Sequence, residues 1–230
     1  MRDTLDRAFT PDNLALAIVD RMVLWGYLRP EHTVWEMHAG SGAFVRALAA
    51  RLGPSQVVAS DIDPDAPGLR VPGVRAFPGW DALRGYPIAG EQPDWTPGNP
   101  PFARHTGEWK TRTKCKGGGY GDGHSLCKAC DGTGKVPVME TIWHEHVDIA
   151  RKVARVGVAF LLRMSFLEPV KERAHLVNAL SEIWPVTPRP SYSGPTGESG
   201  GTDNVGPAVF LWRNDGAVPG PAATTLRWER

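Results

Sequence analysis

The sequence predicts an α/β fold built on a doubly wound, mostly parallel sheet, with a small insertion near its middle. Three observations carry this expectation. A strand, a helix and a second strand follow one another between Thr33 and Ser60, and that order favours a parallel sheet. A glycine-containing turn, Gly40-Ser41-Gly42, joins the first strand to the helix. Composition then shifts abruptly after Phe102: residues 103–139 hold all three Cys and many Gly but few large aliphatics. A chain of 230 residues with 41% hydrophobic content suits one such domain and leaves little room for a second.

Taken in order, Thr10 and Pro11 open the first helix, because Thr can cap free N–H groups and Pro suits the first helical position. Leu14, Ile18 and Met22 recur at helical spacing, and Gly26 offers a stop. Thr33–Met37 reads as a strand, Phe44–Leu52 as a helix, Gln56–Ser60 as a second strand and Val74–Phe77 as a third. Ala82–Arg84 is a short turn or helix. A fourth strand is expected near Trp95, very short or irregular because Pro93 and Pro97 flank it. Beyond the insertion, Thr141–Ala154 resumes a helical pattern and Val156–Met164 a strand. Pro169 is expected to open a helix that runs to about Trp184. Residues Pro188–Asn204, rich in Ser, Gly and Pro, read as a long loop. Val209–Trp212 is a closing strand and Asn214–Arg230 a weakly ordered tail. The expected organisation is therefore a core over 1–102, an insertion over 103–139, the rest of the core over 140–213, and a tail over 214–230.

Composition narrows the function classes. The 26 Gly and 21 Pro imply much loop. A net charge of +1 gives no general attraction to nucleic acid, so any basic surface must be local. Three Cys, an odd number, without a secretory apolar segment argue against a disulfide framework and point to a reducing compartment and to metal. The most apolar run, Val156 to Leu167, is broken by Arg163 and is too short to span a bilayer. The expectation is a soluble, cytoplasmic protein of a bacterium or phage-infected cell, with no membrane partner. There is no internal repeat, and nothing in the sequence sets an oligomeric state.

The first candidate site is the Gly turn. Gly40 and Gly42 let the backbone approach a ligand without interference from a Cβ. A dinucleotide fold would want a third Gly near the helix start, where Phe44 and Val45 stand instead, and no phosphate-binding Lys follows. That argues against a pyrophosphate cradle and leaves open a nucleoside with an amino-acid tail. Asp61 ends the second strand nineteen positions after Gly42, where a carboxylate can accept both hydroxyls of a ribose. An ordinary turn followed by a surface Asp would look the same.

The most specific signal is Asn99-Pro100-Pro101-Phe102. An exocyclic amino group on a base is a poor nucleophile, because its lone pair is delocalised into the ring. Two acceptors on its hydrogens, the Asn99 amide oxygen and the Pro100 carbonyl, would favour a pyramidal nitrogen and withdraw positive charge as it attacks a methyl group. Two successive prolines hold that carbonyl in place beforehand. Phe102 offers a face on which a flipped-out base can stack. A plain Asn-Pro turn with a buried Phe is the alternative; position after a Gly turn and an acidic strand end favours the chemical reading.

In order, Phe9-Thr10-Pro11, Glu36-Met37-His38-Ala39-Gly40-Ser41-Gly42, Asp61-Ile62-Asp63-Pro64 and Asn99-Pro100-Pro101-Phe102 resemble the S-adenosylmethionine-dependent amino-methyltransferases of DNA, most closely the phage-type adenine-N6 enzymes. The resemblance covers residues 9–102 and, more loosely, 141–213. It implies a Rossmann-like methyltransferase fold, S-adenosylmethionine as cofactor, DNA as partner and adenine N6 as acceptor. By resemblance, Phe9 and Thr10 belong to the cofactor site, with Thr10 holding the cofactor's carboxylate. Glu36 and Gly40, with Gly42 in the same turn, frame the methionine part. Asp61 binds the ribose, Ile62 lies against the adenine ring, and Asp81 accepts from the adenine amino group; a helix cap would equally explain Asp81. His38 departs from the family pattern, which has Pro in this turn, and is read as a structural variant at the edge of the cofactor set. The same four-residue string occurs in enzymes that methylate an RNA base or a protein glutamine amide. Those substrates stay open, as do cytosine N4 and a non-catalytic nucleic-acid-binding relative. Later stretches, Phe160 to Glu168, Arg189 to Tyr192 and Gly200 to Asp203, resemble those that follow the catalytic loop in the phage-type enzymes and favour DNA over RNA. Arg163 and Tyr192 are candidates for the target pocket.

The insertion resembles a chaperone-type zinc ribbon whose halves each read C-x-x-C-x-G-x-G. Cys127-Lys128-Ala129-Cys130 keeps one half, whereas Gly118 replaces the second Cys of the half that begins at Cys115. Three Cys with one His, His124 or His105, would make a structural zinc set; a decayed ribbon without metal is the alternative. The segment carries seven basic side chains against three acidic ones, a net +4 that leaves −3 for the rest of the chain. With Trp109 and Tyr120 interleaved, such charge suits phosphate contact and base readout, although a solvated loop would share the composition.

Overall fold

A computed structural model of the chain describes residues 9–111, 133–168, 171, 174–193, 199–202, 206–216 and 225–229. It forms two compact units, one of residues 101–142 and one of residues 7–100 with 143–230. The sheet unit runs α1 (Asp12–Leu24), β1 (Val34–Glu36), α2 (Ala43–Leu52), β2 (Val57–Asp61), β3 (Arg75–Pro78), a 3-10 turn at Ala82–Arg84 and β4 (Trp95–Gly98). The smaller unit holds β5 (Ala103–Thr111) and β6 (Lys135–Thr141). The sheet unit then resumes with α3 (Trp143–Val153), β7 (Gly157–Arg163), α4 (Ala174–Asn178), β8 (Glu182–Thr187), β9 (Ser191–Ser193), β10 (Ser199–Thr202), β11 (Pro207–Arg213) and β12 (Leu226–Arg227).

Eight strands form one sheet in the order β12-β8-β11-β7-β4-β1-β2-β3. All neighbours pair in parallel except β11, which is antiparallel to both β7 and β8. The predicted doubly wound, mostly parallel sheet is present. Right-handed crossovers place α2, between β1 and β2, and α3, between β4 and β7, on opposite faces because the chain moves in opposite directions from the centre. Both faces are therefore covered, which explains why β7 and β11 read as near-continuous apolar runs and are buried along almost their whole length. Alternation still sorts the side chains. Val209 and Leu211 join the core cluster with Leu14, Ile18 and Leu48 of α1 and α2. Phe210 and Trp212 instead pack around Phe166, which also meets Trp143 of α3.

Strand β4 shows how a proline enters a central strand. Its pairing to β7 covers all four residues, from Trp95 opposite Gly157 to Gly98 opposite Phe160. Its pairing to β1 is confined to Trp95 opposite Val34. Pro97 lacks a donor, and it falls where the ladder to β1 has ended.

Several expectations need correction. No side-chain cap forms at the start of α1; Pro11 takes the cap position and the helix begins at Asp12, so the Thr10 hydroxyl is not spent on the helix. The helix expected from Pro169 to Trp184 is the short α4 followed by β8; Pro169 itself lies outside the described residues. Glu182, Trp184 and Val186 turn inward at every second position, and Pro185 is incompatible with a helix interior. The stretch 188–204 contains the β9–β10 antiparallel pair. The tail is anchored at its end: β12 pairs with β8, Leu226 and Trp228 are buried, and the Trp228 ring N–H donates to the Pro188 carbonyl at 2.7 Å. Apolar residues two apart, at Leu226 and Trp228, are the edge-strand signature that the Gly and Pro before them obscure.

In the smaller unit, β5 and β6 form a two-stranded antiparallel ribbon from Ala103 opposite Thr141 to Thr111 opposite Lys135. The Ile142 N–H donates to the Phe102 carbonyl at 3.2 Å and closes its base. β6 runs to Thr141 and the compact unit to Ile142.

Candidate active site

The site follows from strand order. From β1 the chain moves outward to β2 and β3 on one side and to β4 and β7 on the other. In an open parallel sheet, ligands bind at the carboxyl ends of the strands where this direction reverses. Here that point lies between β1 and β4, and Glu36, Asp61, Gly98 and Asn99 stand at the ends of β1, β2 and β4.

Glu36 is only 2% exposed. Its Oε1 accepts the His38 backbone N–H at 3.1 Å. Burial pushes its carboxyl up to about 8; the His38 N–H pulls it partly back, and the charge of Asp61 adds to the rise. Gly98 passes directly over this carboxyl: a Cβ there would lie 2.5 Å from Glu36 Oε1, so no side chain fits before Asn99. Sequence reading missed Gly98. Its signal was a Gly directly before an Asn-Pro step at a strand end.

The turn 38–42 is pinned through its backbone. Ala39 N–H donates to the Ser60 carbonyl at 2.9 Å, and Gly40 N–H to Asp61 Oδ2 at 2.8 Å. Asp61 Oδ1 accepts from Asp63 N–H at 2.9 Å. Both oxygens of Asp61 thus accept backbone N–H groups, one from each side of the strand end. Gly42 has φ 90°, and a Cβ on it would lie 2.9 Å from Gly68 Cα, so the turn requires glycine there on two counts. Phe9 lies against the other side of this turn, 3.5 Å from where a Cβ of Gly40 would stand. Ile62 is 51% exposed, a large apolar side chain left open next to Asp61. Asp81 accepts the Leu83 N–H at 3.0 Å and caps the 3-10 turn.

Thr10, buried, and Asn99 are brought together from opposite ends of the sequence segment. The Asn99 side-chain nitrogen donates to the Thr10 hydroxyl at 3.1 Å. In this arrangement the amide nitrogen faces Thr10. Pro100 belongs to the sheet unit, Pro101 and Phe102 to the ribbon unit.

His38 Nε2 lies 3.0 Å from Nδ1 of His146, on the first turn of α3, with the rings edge to face. Burial first, then His146, holds the His38 imidazole well below its usual range, so it is neutral. Sequence reading singled out His38 and missed His146, because nothing in the sequence links positions 108 residues apart.

Comparison with solved structures adds the fold's identity. The structure superposes on a Listeria monocytogenes protein described as a class I S-adenosylmethionine-dependent methyltransferase, with TM-score 0.57 and 8% identity, over 95% of this chain and 65% of that one. The fold is that of the Rossmann-like methyltransferases. It matches equally a protein of Vibrio vulnificus described as a modification subunit of a type I restriction enzyme, with TM-score 0.56 and 13% identity, over 95% of this chain and 47% of the other. A Pyrococcus horikoshii protein described as an RNA methyltransferase matches with TM-score 0.55 and 13% identity, over 91% and 88% of the two chains. The chain thus spans about two thirds of the first methyltransferase and just under half of the second. No protein-family model matches the sequence, and no curated protein matches it.

Among the described residues, no helix is long and apolar enough to cross a membrane. Among them, too, no three His, Cys, Asp or Glu side chains are grouped to hold a metal. Cys115, His124, Cys127 and Cys130, the expected zinc ligands, lie outside the described residues.

Proposed function

We propose that this chain transfers a methyl group from S-adenosylmethionine to the exocyclic N6 amine of adenine in DNA. The observation that carries the reading is Asn99 at the end of β4, beside the strand-order reversal, with its amide nitrogen tied to Thr10.

The residues at the crevice fit the cofactor. Gly40, Gly42 and Gly98 clear backbone that side chains would fill. Buried Glu36 is a carboxyl in want of a cation, and the amino group of a methionine tail is one. Asp61, the carboxylate at the end of β2, is assigned to the ribose hydroxyls, and exposed Ile62 offers an apolar face to an adenine ring. Asp81 can take the adenine amino group at a lone pair that its cap leaves over. S-adenosylmethionine supplies a methyl on a positively charged sulfur that an amine can displace. The protein's part is to bind, orient and polarise. Asn99 Oδ1 and the Pro100 carbonyl accept the hydrogens of the target amine and draw charge from its nitrogen during attack. Because Thr10 fixes the amide before the substrate arrives, no reorientation is needed at the moment of transfer. Phe102 provides the stacking surface for the extruded base.

We assign target binding to the ribbon and to residues 112–132, with zinc held by Cys115, Cys127, Cys130 and His124. The test is incubation of the purified chain with labelled S-adenosylmethionine and DNA, RNA or protein in parallel, followed by nucleoside and amino-acid analysis. The reading requires N6-methyladenine in the DNA arm. Label confined to RNA or protein, or to cytosine, would overturn it.

A further inference from the structure

Three successive backbone N–H groups of the cofactor turn are taken up on the side of β1 and β2. His38 donates to Glu36, Ala39 to Ser60 and Gly40 to Asp61. The His38 side chain leaves in the other direction and meets α3 at His146. We propose that His146 is a positioning residue for this turn: the hydrogen bond between its Nδ1 and His38 Nε2 fixes the segment that binds the methyl donor. The proposal rests on the cofactor assignment above.

Only 3.0 Å separates His38 Nε2 from His146 Nδ1, a full hydrogen bond rather than a loose ring contact, and the two rings meet edge to face. The far nitrogens, His38 Nδ1 and His146 Nε2, are both buried, so either placement of the shared proton leaves one N–H on an enclosed nitrogen, and the bond is made whichever ring donates. β1, β2 and α3 thus converge on the turn, and the α3 tie is the one made by a side chain that the family pattern does not supply.

The inference makes a demand on the partner atom. His146→Leu keeps bulk but leaves His38 Nε2 without its partner inside the fold, whereas His146→Asn restores a hydrogen-bonding amide at the Nδ1 position. Calorimetry on the full-length chain should show about tenfold weaker S-adenosylmethionine binding for the Leu variant and binding within about twofold of wild type for the Asn variant. A nitrogen-15 correlation across the His38–His146 bond should be present in the wild type. Thermal unfolding of the free proteins separates a loss of fold from a loss of site; should the Leu variant not fold, His146→Gln, with its amide displaced by one methylene, replaces it and is expected to bind weakly. Equal binding by wild type and the Leu variant, equal loss in the Leu and Asn variants, or the absence of a coupling between the two rings would each overturn the proposal. A wild type that fails to bind S-adenosylmethionine at all would instead remove the cofactor assignment on which it stands.

Discussion

Glu36 keeps its proton near neutral pH because its carboxyl is enclosed, with a folded-state pKa of about 8. In the unfolded chain a glutamate loses its proton near the ordinary value of ~4.3. Between these two values the folded state binds more protons than the unfolded one, so stability is greatest below pH ~4.3 and falls as pH rises to 8, after which it levels. Glu36→Gln removes that dependence. Its melting temperature should exceed that of the wild-type free protein at pH 9, by a margin worth on the order of 5 kcal/mol, and the gap should close toward pH 4. A flat comparison across that range would show that Glu36 is not a buried, protonated carboxyl. The same variant should bind S-adenosylmethionine less tightly, since the group that destabilises the empty fold is the one proposed to face the cofactor's cation. Asp61 makes a complementary case. It supports the turn through Gly40 and is proposed to hold the ribose, so Asp61→Ala should weaken cofactor binding roughly tenfold or more, measured by calorimetry; unchanged affinity would remove it from the site.

At the scale of elements, what was legible in the sequence is what is written in local chemistry. The β1-turn-α2-β2 segment was readable because Gly40, Gly42 and a terminal Asp61 are a short-range pattern, and the 3-10 turn at Ala82–Arg84 because Asp81 precedes it. The β8 strand was misread since Pro169 resembles a helix start while the decisive features, alternation at Glu182, Trp184 and Val186 and the proline at 185, depend on a partner strand 20 residues or more away. Thr10 was assigned two roles, cap and ligand residue; only its bond to Asn99, invisible in sequence, decides against the cap. The ribbon belongs to this scale as well. Its arms are an antiparallel pair whose register shifts between His105 and Trp109, and the Cys-rich residues 112–132 lie between them in sequence. Double substitution Cys127→Ser, Cys130→Ser should release one zinc per chain and weaken DNA binding while leaving S-adenosylmethionine affinity within about twofold of wild type. Elemental analysis of protein prepared without chelator checks the metal, and a zinc-free wild type would refute that assignment.

For the whole molecule, strand order does the work of assembly. Residues from positions 10, 36, 61 and 99 share no local sequence context, yet the reversal of direction between β1 and β4 delivers them to one sheet edge. The fold is shared with proteins described as a class I methyltransferase, a restriction-enzyme modification subunit and an RNA methyltransferase, so the assignment of chemistry rests on the amide at that edge and not on the architecture. Asn99→Ala tests it most directly. In a single-turnover experiment with saturating labelled S-adenosylmethionine and DNA, the variant should bind the cofactor as wild type does, because its side chain is assigned to the target amine. Its rate of transfer to adenine should fall by a hundredfold or more, on the order of the loss seen when a preorganised polar group is removed from a reacting centre. Transfer at near the wild-type rate, with cofactor bound, would contradict the account.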